Sequence, residues 1–345
     1  MSTAETTLRV AWLIYGALDQ VSGGYIYDQL VVEQLREFGD TVTVISLTPG
    51  AAELPQLAAK DFDVLVGDEL CFRDLGRVFQ CARPTLRCVL LIHHLTAWEH
   101  PEGSLRSELL ALEKTVIELA DACIATSQVT ADRLQAEGLG HCRARVAEPG
   151  ADRMPRPENG SQEPSGFPVR LLFVGNILRR KRVLELCAAF ASVTMTSAEL
   201  VLVGAELEAD YAAEVRDFVR RVAVGDRIRF LGALPATGVA EQFSQADAVV
   251  LPSALEGYGM VLSEALWLSV PIVAARVGAA EQLVGKSGAG LLFDPDDPSA
   301  LRHTLGTFIN DGALRAKLRR AASHAANLLP RWRDTALALR ATLVK

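Results

Sequence analysis

The chain has 345 residues, of which 50% are hydrophobic and 22% are charged, and its formal net charge is −7. This composition is typical of a globular protein and excludes a disordered chain, and the length predicts about two domains. The acidic balance also argues against a nucleic-acid partner, because nucleic-acid-binding proteins carry a basic stripe.

The cellular compartment is indicated by the cysteines and by the apolar segments. None of the six cysteines forms a C-x-x-C pair, which favours reduced thiols in the cytosol. The first residues, M-S-T-A-E-T-T, are polar and lack a basic region, so we expect no signal peptide. The most apolar stretch, residues 257–275, is interrupted by Glu264, glycines and Pro271, which argues against a transmembrane segment. We therefore expect a cytoplasmic protein.

The first predicted strand, residues 8–15, leads into a glycine-containing loop. Ser22, Gly23 and Gly24 precede an amphipathic pattern that predicts a helix over about residues 25–38. The dinucleotide fingerprint G-x-G-x-x-G is absent. A glycine pair between strand and helix nevertheless allows backbone amides to approach a ligand, and the alternative is a plain tight turn.

Further strands are predicted over residues 41–46, 63–66 and 87–92, and the last runs directly into His93 and His94. The carboxyl end of a parallel strand faces the edge of the sheet where ligands bind. Alternatively, these histidines only cap the strand. We consider a zinc site less favoured, since adjacent histidines project differently and no third ligand is evident nearby.

Residues 152–168 are rich in proline, glycine and serine, which is typical of a linker. This composition places a first domain at residues 1–155, a linker at 156–168 and a second domain at 169–330.

The second domain opens with a predicted strand over residues 169–174 that ends at Gly175 and Asn176. A basic cluster, residues 179–182, follows at a predicted helix start. Cations there oppose the helix dipole, so the cluster is better explained if an anion joins it. The alternative is a basic loop on a solvated surface.

The most informative stretch, residues 251–274, reads as a strand end, a glycine turn, an apolar helix and a new strand. Gly257 and Gly259 flank the turn, and a helix start with free N–H groups binds anions. Glu256 precedes this helix and Glu264 lies about two turns into it. The pattern could hold a sugar nucleotide, with phosphate at the helix start, ribose on Glu264 and sugar near Glu256. Alternatively, it is an ordinary turn before a half-exposed helix.

This stretch closely resembles the E-x7-E signature of retaining glycosyltransferases of family four. The positions that match the family pattern are Pro252, Ser253, Glu256, Gly257, Tyr258, Gly259, Glu264, Ala265, Pro271, Val273 and Ala274. One departure is Ser269, where the family usually has glycine. The resemblance implies an α/β chain with the GT-B architecture, in which two Rossmann-like parallel-sheet domains face a cleft.

The resemblance also implies roles for individual residues. His93 and Glu256 would be catalytic, with His93 contacting the transferred sugar. The donor-binding residues would be Gly23, Gly24, Gly175, Asn176, Arg180, Lys181, Gly257, Tyr258, Gly259, Met260, Val261 and Glu264. Asn176 stands where the family has an arginine, and Arg179 or Arg180 could supply the missing charge. The family needs no metal or other cofactor, and its last helix, here about residues 331–345, packs on the first domain.

The implied function is retaining transfer of a sugar from a nucleoside-diphosphate (NDP) sugar to an acceptor hydroxyl or similar nucleophile. Residues 1–150 carry a net charge of −9 and residues 151–345 carry +2, which suits a diphosphate on the second half and a neutral or cationic acceptor on the first. The acceptor, whether small molecule, glycan or lipid, is not specified, and neither is the oligomeric state. The alternatives are a non-catalytic sugar-nucleotide-binding protein and another two-Rossmann enzyme, such as a sugar-nucleotide epimerase or a phosphorylase.

Overall fold

The computed structural model describes residues 7–55, 57–140, 143–156, 168–193 and 197–344. It divides into two compact units: unit 1 contains residues 1–150 and 331–345, and unit 2 contains residues 151–330. The signal-peptide prediction and most of the predicted linker fall outside the described residues.

Unit 1 is built on one parallel sheet. Its strands are β1 (Arg9–Tyr15), β2 (Thr41–Leu47), β3 (Val64–Asp68), β4 (Arg87–Ile92), β5 (Ala122–Ala125) and β6 (Arg145–Val146), in the order β2-β1-β3-β4-β5-β6. Its helices are α1 (Gly23–Glu37), α2 (Phe72–Ala82), α3 (Ser104–Leu119), α4 (Gln128–Ala136) and the C-terminal helix (Trp332–Leu343). The central strands β1, β3 and β4 are almost wholly buried, which explains their continuous apolar runs.

The start of α1 differs from the sequence prediction. The helix was expected to begin at Tyr25, but Ser22 takes an extended conformation as the N-cap and the helix begins at Gly23. Gly23 and Gly24 therefore occupy the first helical turn and do not form a loop before it. The helix starts there through the backbone, since the N–H of Ile26 donates to the carbonyl of Ser22 at 3.0 Å, despite the low helix propensity of the glycines.

The C-terminal helix packs within unit 1. The ring of Trp332 meets that of Tyr27 edge-on at 5.6 Å between centroids. Arg340 donates from Nε to the buried carboxylate of Asp40 at 2.7 Å. These contacts attach residues 331–345 to α1 and to the turn that follows it.

Unit 2 begins earlier than its composition predicts. The N–H of Ala151 donates to the carbonyl of Pro330 at 2.9 Å, and the carbonyl of Met154 accepts from Trp267 Nε1 at 2.9 Å. Residues 151–155, which we assigned to the first domain, therefore belong to the second. Composition could not reveal this, because the contacts join positions far apart in the chain.

Unit 2 has a second parallel sheet. Its strands are β7 (Val169–Val174), β8 (Ala198–Val203), β9 (Ile228–Gly232), β10 (Ala248–Leu251), β11 (Ile272–Ala275) and β12 (Gly290–Phe293), in the order β12-β11-β10-β7-β8-β9. Its helices are α5 (Val183–Ser192), α6 (Ala209–Arg221), α7 (Ala236–Gln245), α8 (Met260–Trp267), α9 (Ala280–Ser287), α10 (Ala300–Asn310) and α11 (Gly312–Ala325). The strand order is that of a Rossmann fold, with the reversal between β7 and β10. The prediction of two Rossmann-like parallel-sheet domains is confirmed.

Within the described ranges, no helix is long and apolar enough to cross a bilayer.

Ser269 stands at the position where the family usually has glycine, and its backbone shows why glycine suits that position. It has a φ of +62°, in the left-handed region that disfavours side chains. We expect Ser269→Gly to raise the free energy of unfolding by about 0.5 to 1 kcal/mol, because relief of strain exceeds the added freedom of the unfolded chain. Urea unfolding measures this difference. As a control, Ser107→Gly within α3 should lower the free energy of unfolding by roughly 0.5 to 1 kcal/mol. If Ser269→Gly lowered the free energy of unfolding as much as Ser107→Gly does, the backbone at Ser269 would not be strained.

Candidate functional site

The loops that follow β7 and β10 lie side by side in unit 2, since these two strands are neighbours at the centre of the sheet. Ligands of doubly wound folds bind at the carboxyl ends of the strands where the order reverses. The first loop contains Gly175 and the short helical turn Arg179–Lys181. The N–H of Ala254, in the second loop, donates to the carbonyl of Arg180 at 2.8 Å and so holds the loops together.

Basic and acidic side chains meet between these loops. Lys181 Nζ donates a hydrogen bond to Glu256 Oε1, and Arg180 Nη1 lies 4.0 Å from Glu256 Oε2. Burial would raise the pKa of Glu256, but the positive charges of Lys181 and Arg180 outweigh it and hold that pKa below its usual value. Glu256 is therefore ionised at neutral pH, and both cations remain close to it.

Arg179 and Arg180 were both candidates to supply the positive charge that Asn176 lacks, and the structure distinguishes between them. Arg179 points outward, where its guanidinium lies 3.2 Å from the exposed Glu214. Arg180 lies between the loops and donates to the carbonyl of Leu255 at 3.4 Å. Asn176, at the family's arginine position, accepts from the N–H of Ala205 at 3.3 Å and so joins the loops after β7 and β8. Arg180 is thus the arginine beside Lys181.

Helix α8 begins at this site. Gly259 is its N-cap with a φ of +88°, and Met260 and Val261 form its first turn. Their N–H groups have no preceding helical carbonyl, so this end of the helix carries partial positive charge. Gly278, which sequence reasoning missed, packs under the turn, because a Cβ there would lie 2.8 Å from Glu256 Cβ. Its only sequence signal was a glycine after β11.

Glu264 is the fifth residue of α8, and it is buried, unlike a residue on the half-exposed helix that was the alternative. Its exposure is 3%, and Arg153 donates to it from Nε to Oε1 at 2.7 Å. Burial raises the pKa of Glu264, although Arg153 opposes the shift. Arg153 was missed because it lies in the segment whose composition resembles a linker. Its partnership with Glu264 provides a charged pair beneath the start of α8.

His93 lies within unit 1, directly after β4. Its ring packs edge-on against Tyr27 at 5.3 Å between centroids. A Cβ on Gly24 would lie 3.3 Å from His93 Cδ2, so glycine leaves the space that the ring occupies. Gly23 faces open space. Of the predicted residues in unit 1, the structure therefore brings together Gly24 and His93.

The neighbouring His94 points elsewhere. Its Nε2 lies 2.7 Å from Glu99 Oε1, in a pair of partly exposed side chains. Of the two histidines, His93 is the one that faces the buried carboxyl groups of Asp28 and Asp68.

Two carboxylates face His93 from other elements. His93 Nε2 lies 3.4 Å from Asp28 Oδ1 of α1 and 3.8 Å from Asp68 Oδ2 of β3. Burial raises the pKa of Asp28 to about 7, and burial with the nearby Asp28 charge raises the pKa of Asp68 well above its usual value. Burial also lowers the pKa of His93. No sequence pattern indicated these two carboxyl groups, because Asp28 and Asp68 come close to His93 only in the folded chain.

Residues 159–325 match the model of glycosyl transferases group 1. D-inositol 3-phosphate glycosyltransferase of Corynebacterium urealyticum is 28% identical over 284 residues, covering 76% of this chain and 65% of that protein. Glycogen synthase of Mycobacterium tuberculosis is 28% identical over 240 residues, covering 68% and 57%. The aligned region thus spans less than two thirds of either relative.

Solved structures of similar fold cover nearly the whole chain. Sucrose-phosphate synthase of Thermosynechococcus elongatus matches with a TM-score of 0.78 and 20% identity, covering 97% of this chain and 98% of that chain. Alr3699/HepE of Anabaena, in complex with UDP-glucose, also matches with a TM-score of 0.78 and 20% identity, covering 98% and 99%. These matches confirm the GT-B fold class.

Proposed function

We propose that the chain, of which residues 159–325 match the model of glycosyl transferases group 1, is a glycosyltransferase that transfers a sugar from an NDP-sugar to an acceptor with retention of configuration. One observation carries this proposal. Lys181, Arg180 and the start of α8 converge at the strand-order reversal of unit 2, where doubly wound folds bind nucleotides.

The leaving diphosphate is the group that this site would stabilise. Lys181, Arg180 and the first N–H groups of α8 supply positive charge that is in place before the reaction. Binding of the diphosphate to Lys181 would release Glu256 to face the transferred sugar. Because side chains and backbone provide the charge, we propose that this step uses no metal or other cofactor.

The remaining predicted residues have subsidiary roles in this proposal. Glu264 binds the ribose hydroxyls, with Arg153 holding its carboxyl group in place and opposing the rise in pKa that burial causes. Gly175 and residues 257–259 shape the backbone around the diphosphate. In unit 1, His93 would contact the transferred sugar, and the net charge of −9 on residues 1–150 suits a neutral or cationic acceptor. Six cysteines without a C-x-x-C pair support a cytoplasmic location.

Donor binding tests the proposal first, by thermal shift with UDP-, GDP- and ADP-glucose. UDP-glucose is the first choice because it is the ligand in the HepE complex. At 100 times its dissociation constant, the right donor should stabilise the chain by about 2.7 kcal/mol. No stabilisation by any NDP-sugar would contradict the proposal.

Turnover then separates a transferase from the alternatives. D-inositol 3-phosphate and glycogen are the first acceptors to test, because relatives are named for them. A glycosylated acceptor supports transfer. Donor binding without any turnover would indicate a binding protein, and an epimerised donor would indicate an epimerase.

A further inference from the structure

The imidazole ring of His93 is positioned by contacts within unit 1. It packs edge-on against Tyr27 at 5.3 Å between centroids, and the backbone carbonyl of His93 accepts from Thr130 Oγ1 at 3.3 Å. These contacts direct Nε2 of the ring toward two buried carboxyl groups. Nε2 lies 3.4 Å from Asp28 Oδ1 and 3.8 Å from Asp68 Oδ2.

Asp28 and Asp68 are joined by a hydrogen bond, which requires a proton on one of them because two ionised carboxylates have no donor. Burial raises the pKa of Asp28 to about 7 and that of Asp68 well above its usual value. The bond between them lowers the pKa of Asp28 and raises the pKa of Asp68, so the proton resides on Asp68. Above about pH 7 the pair therefore carries one negative charge, on Asp28.

The outer oxygens of this carboxyl pair are bonded to the surrounding fold. Asp28 Oδ2 accepts from Trp12 Nε1 at 3.1 Å, and Asp68 Oδ1 accepts from the N–H of Leu70 at 2.8 Å. These bonds orient both carboxyl groups and leave Asp28 Oδ1 and Asp68 Oδ2 directed at His93. The group that a histidine nitrogen faces decides which of its two nitrogens carries the proton.

His93 carries only one ring proton at neutral pH. Burial lowers its pKa, although the charge of Asp68 opposes the shift. A proton on Nε2 is directed at the carboxylate of Asp28, whereas a proton on Nδ1 would set two buried acceptors against each other. The proton of Asp68 does not relieve this conflict, because it is engaged with Asp28. The distance of 3.4 Å exceeds that of a formed bond, about 2.7 to 3.2 Å, as is common at sites without substrate.

Other ionisable groups lie beside the carboxyl pair. Among the residues that the structure describes, those that face it are Tyr25 and Tyr27 of α1, and Glu69 and Cys71 after β3. Burial raises the pKa of each, which favours its uncharged form. Glu69 is itself hydrogen-bonded to Glu113 in a second carboxyl pair. A titration near pH 7 is therefore assigned to Asp28 by substituting Asp28 alone.

We propose that Asp28 and Asp68 are positioning residues, which keep the proton of His93 on Nε2 and leave the lone pair of Nδ1 for a hydroxyl of the transferred sugar. Asp28 accepts from the imidazole, and the O–H of Asp68 stabilises the charge of Asp28. The contact between His93 and the sugar rests on the proposed function, whereas the position of the ring proton does not.

Proton–nitrogen NMR of the full chain with labelled histidine, recorded without a donor, tests the position of the proton. At about pH 8 we expect His93 of the wild type to be neutral with its proton on Nε2. In Asp28→Asn the amide oxygen accepts from Trp12 and the amide NH2 faces Nε2, so the ring proton should move to Nδ1. The signal is assigned as the one that is lost in His93→Gln and kept in His94→Gln.

Asp68→Asn is the matched comparison for the same measurement. Its amide oxygen accepts from the N–H of Leu70, and its amide NH2 donates to Asp28 in place of the O–H. This variant should therefore keep the proton of His93 on Nε2. The opposite response of two neighbouring aspartates distinguishes a positioning role from general damage to the fold.

Kinetics with the donor that binds tests the consequence for transfer. Asp28→Asn should lower kcat by roughly 10- to 10²-fold and leave the donor KM within about twofold, because the nucleotide contacts are proposed for unit 2. In the wild type, kcat/KM should fall as the pH drops below about 7, since Asp28, whose pKa is raised, then takes up a proton. Asp28→Asn should lack this fall. Asp74→Asn is the control, because Asp74 is buried in unit 1 but accepts from Tyr15 and Gly50, and it should keep the wild-type profile.

The wild type alone can overturn the proposal, whether or not the variants fold. A neutral His93 with its proton on Nδ1, or a cationic His93 at about pH 8, would do so. If Asp28→Asn folds by circular dichroism, an unchanged proton position or an unchanged kcat would also overturn it. The NMR measurement needs no donor, so a chain that turns over no NDP-sugar would refute the proposed function and leave the position of the proton to be judged separately.

Discussion

Lys181→Ala is expected to lower the rate of sugar transfer by roughly 10²-fold or more and to weaken donor binding with it. The side chain of Lys181 is 14% exposed and that of Glu256 is 9% exposed, so the ammonium acts where water screens it poorly. Removing it takes a fixed charge from the leaving diphosphate. It also leaves the more distant Arg180 as the cation nearest to the buried carboxylate of Glu256.

Steady-state kinetics with the donor that binds, together with calorimetry of the free nucleoside diphosphate, measures both effects. Arg179→Ala is the matched control, because Arg179 lies in the same basic cluster but is 64% exposed and paired with Glu214. An exposed pair is worth about 0 to 1 kcal/mol, so this variant should stay within about fivefold of the wild type. If both variants lost transfer rate and nucleotide affinity equally, Lys181 would not be a ligand of the diphosphate.

Glu264→Gln is expected to raise the KM for the donor and to weaken binding of the free nucleoside diphosphate alike, each by roughly 10- to 10²-fold. A hydrogen bond to a charged group contributes about 1.5 to 3 kcal/mol. A ribose contact is present in both the ground and transition states, so kcat should change little. The substitution also leaves Arg153 without its buried partner.

The control for this variant is Glu281→Gln. Glu281 also lies on a helix of unit 2, but it is 69% exposed and pairs with Arg276, so both KM and nucleotide affinity should stay near the wild-type values. A loss in Glu264→Gln that is confined to kcat would show that Glu264 does not hold the ribose.

Much of the fold could be read from apolar runs. Strand β7 was predicted over residues 169–174 and lies there, and β1 differs from its prediction by one residue. Buried parallel strands produce such runs because both faces of the sheet are covered. The glycine turn at residues 257–259 was equally visible, because a left-handed φ before a helix favours glycine.

What the sequence could not show are contacts between distant positions. Arg153 meets Glu264, and Gly278 lies under Glu256, yet neither pair leaves a local pattern. Asp28 lies in α1, Asp68 in β3 and His93 after β4, so their spacing along the chain did not indicate that they meet. Asp28 reads as one polar residue in an amphipathic helix, and only the register of α1 against the sheet turns it inward.

The central claim, retaining transfer from an NDP-sugar, is tested most directly by following α-configured UDP-, GDP- and ADP-glucose with the chain by proton NMR. The account predicts that one donor releases its nucleoside diphosphate and that the first product keeps the α configuration. Lys181→Ala should suppress this release and Arg179→Ala should not. A β-configured product would contradict the account. So would the absence of nucleoside-diphosphate release from all three donors with D-inositol 3-phosphate or glycogen present.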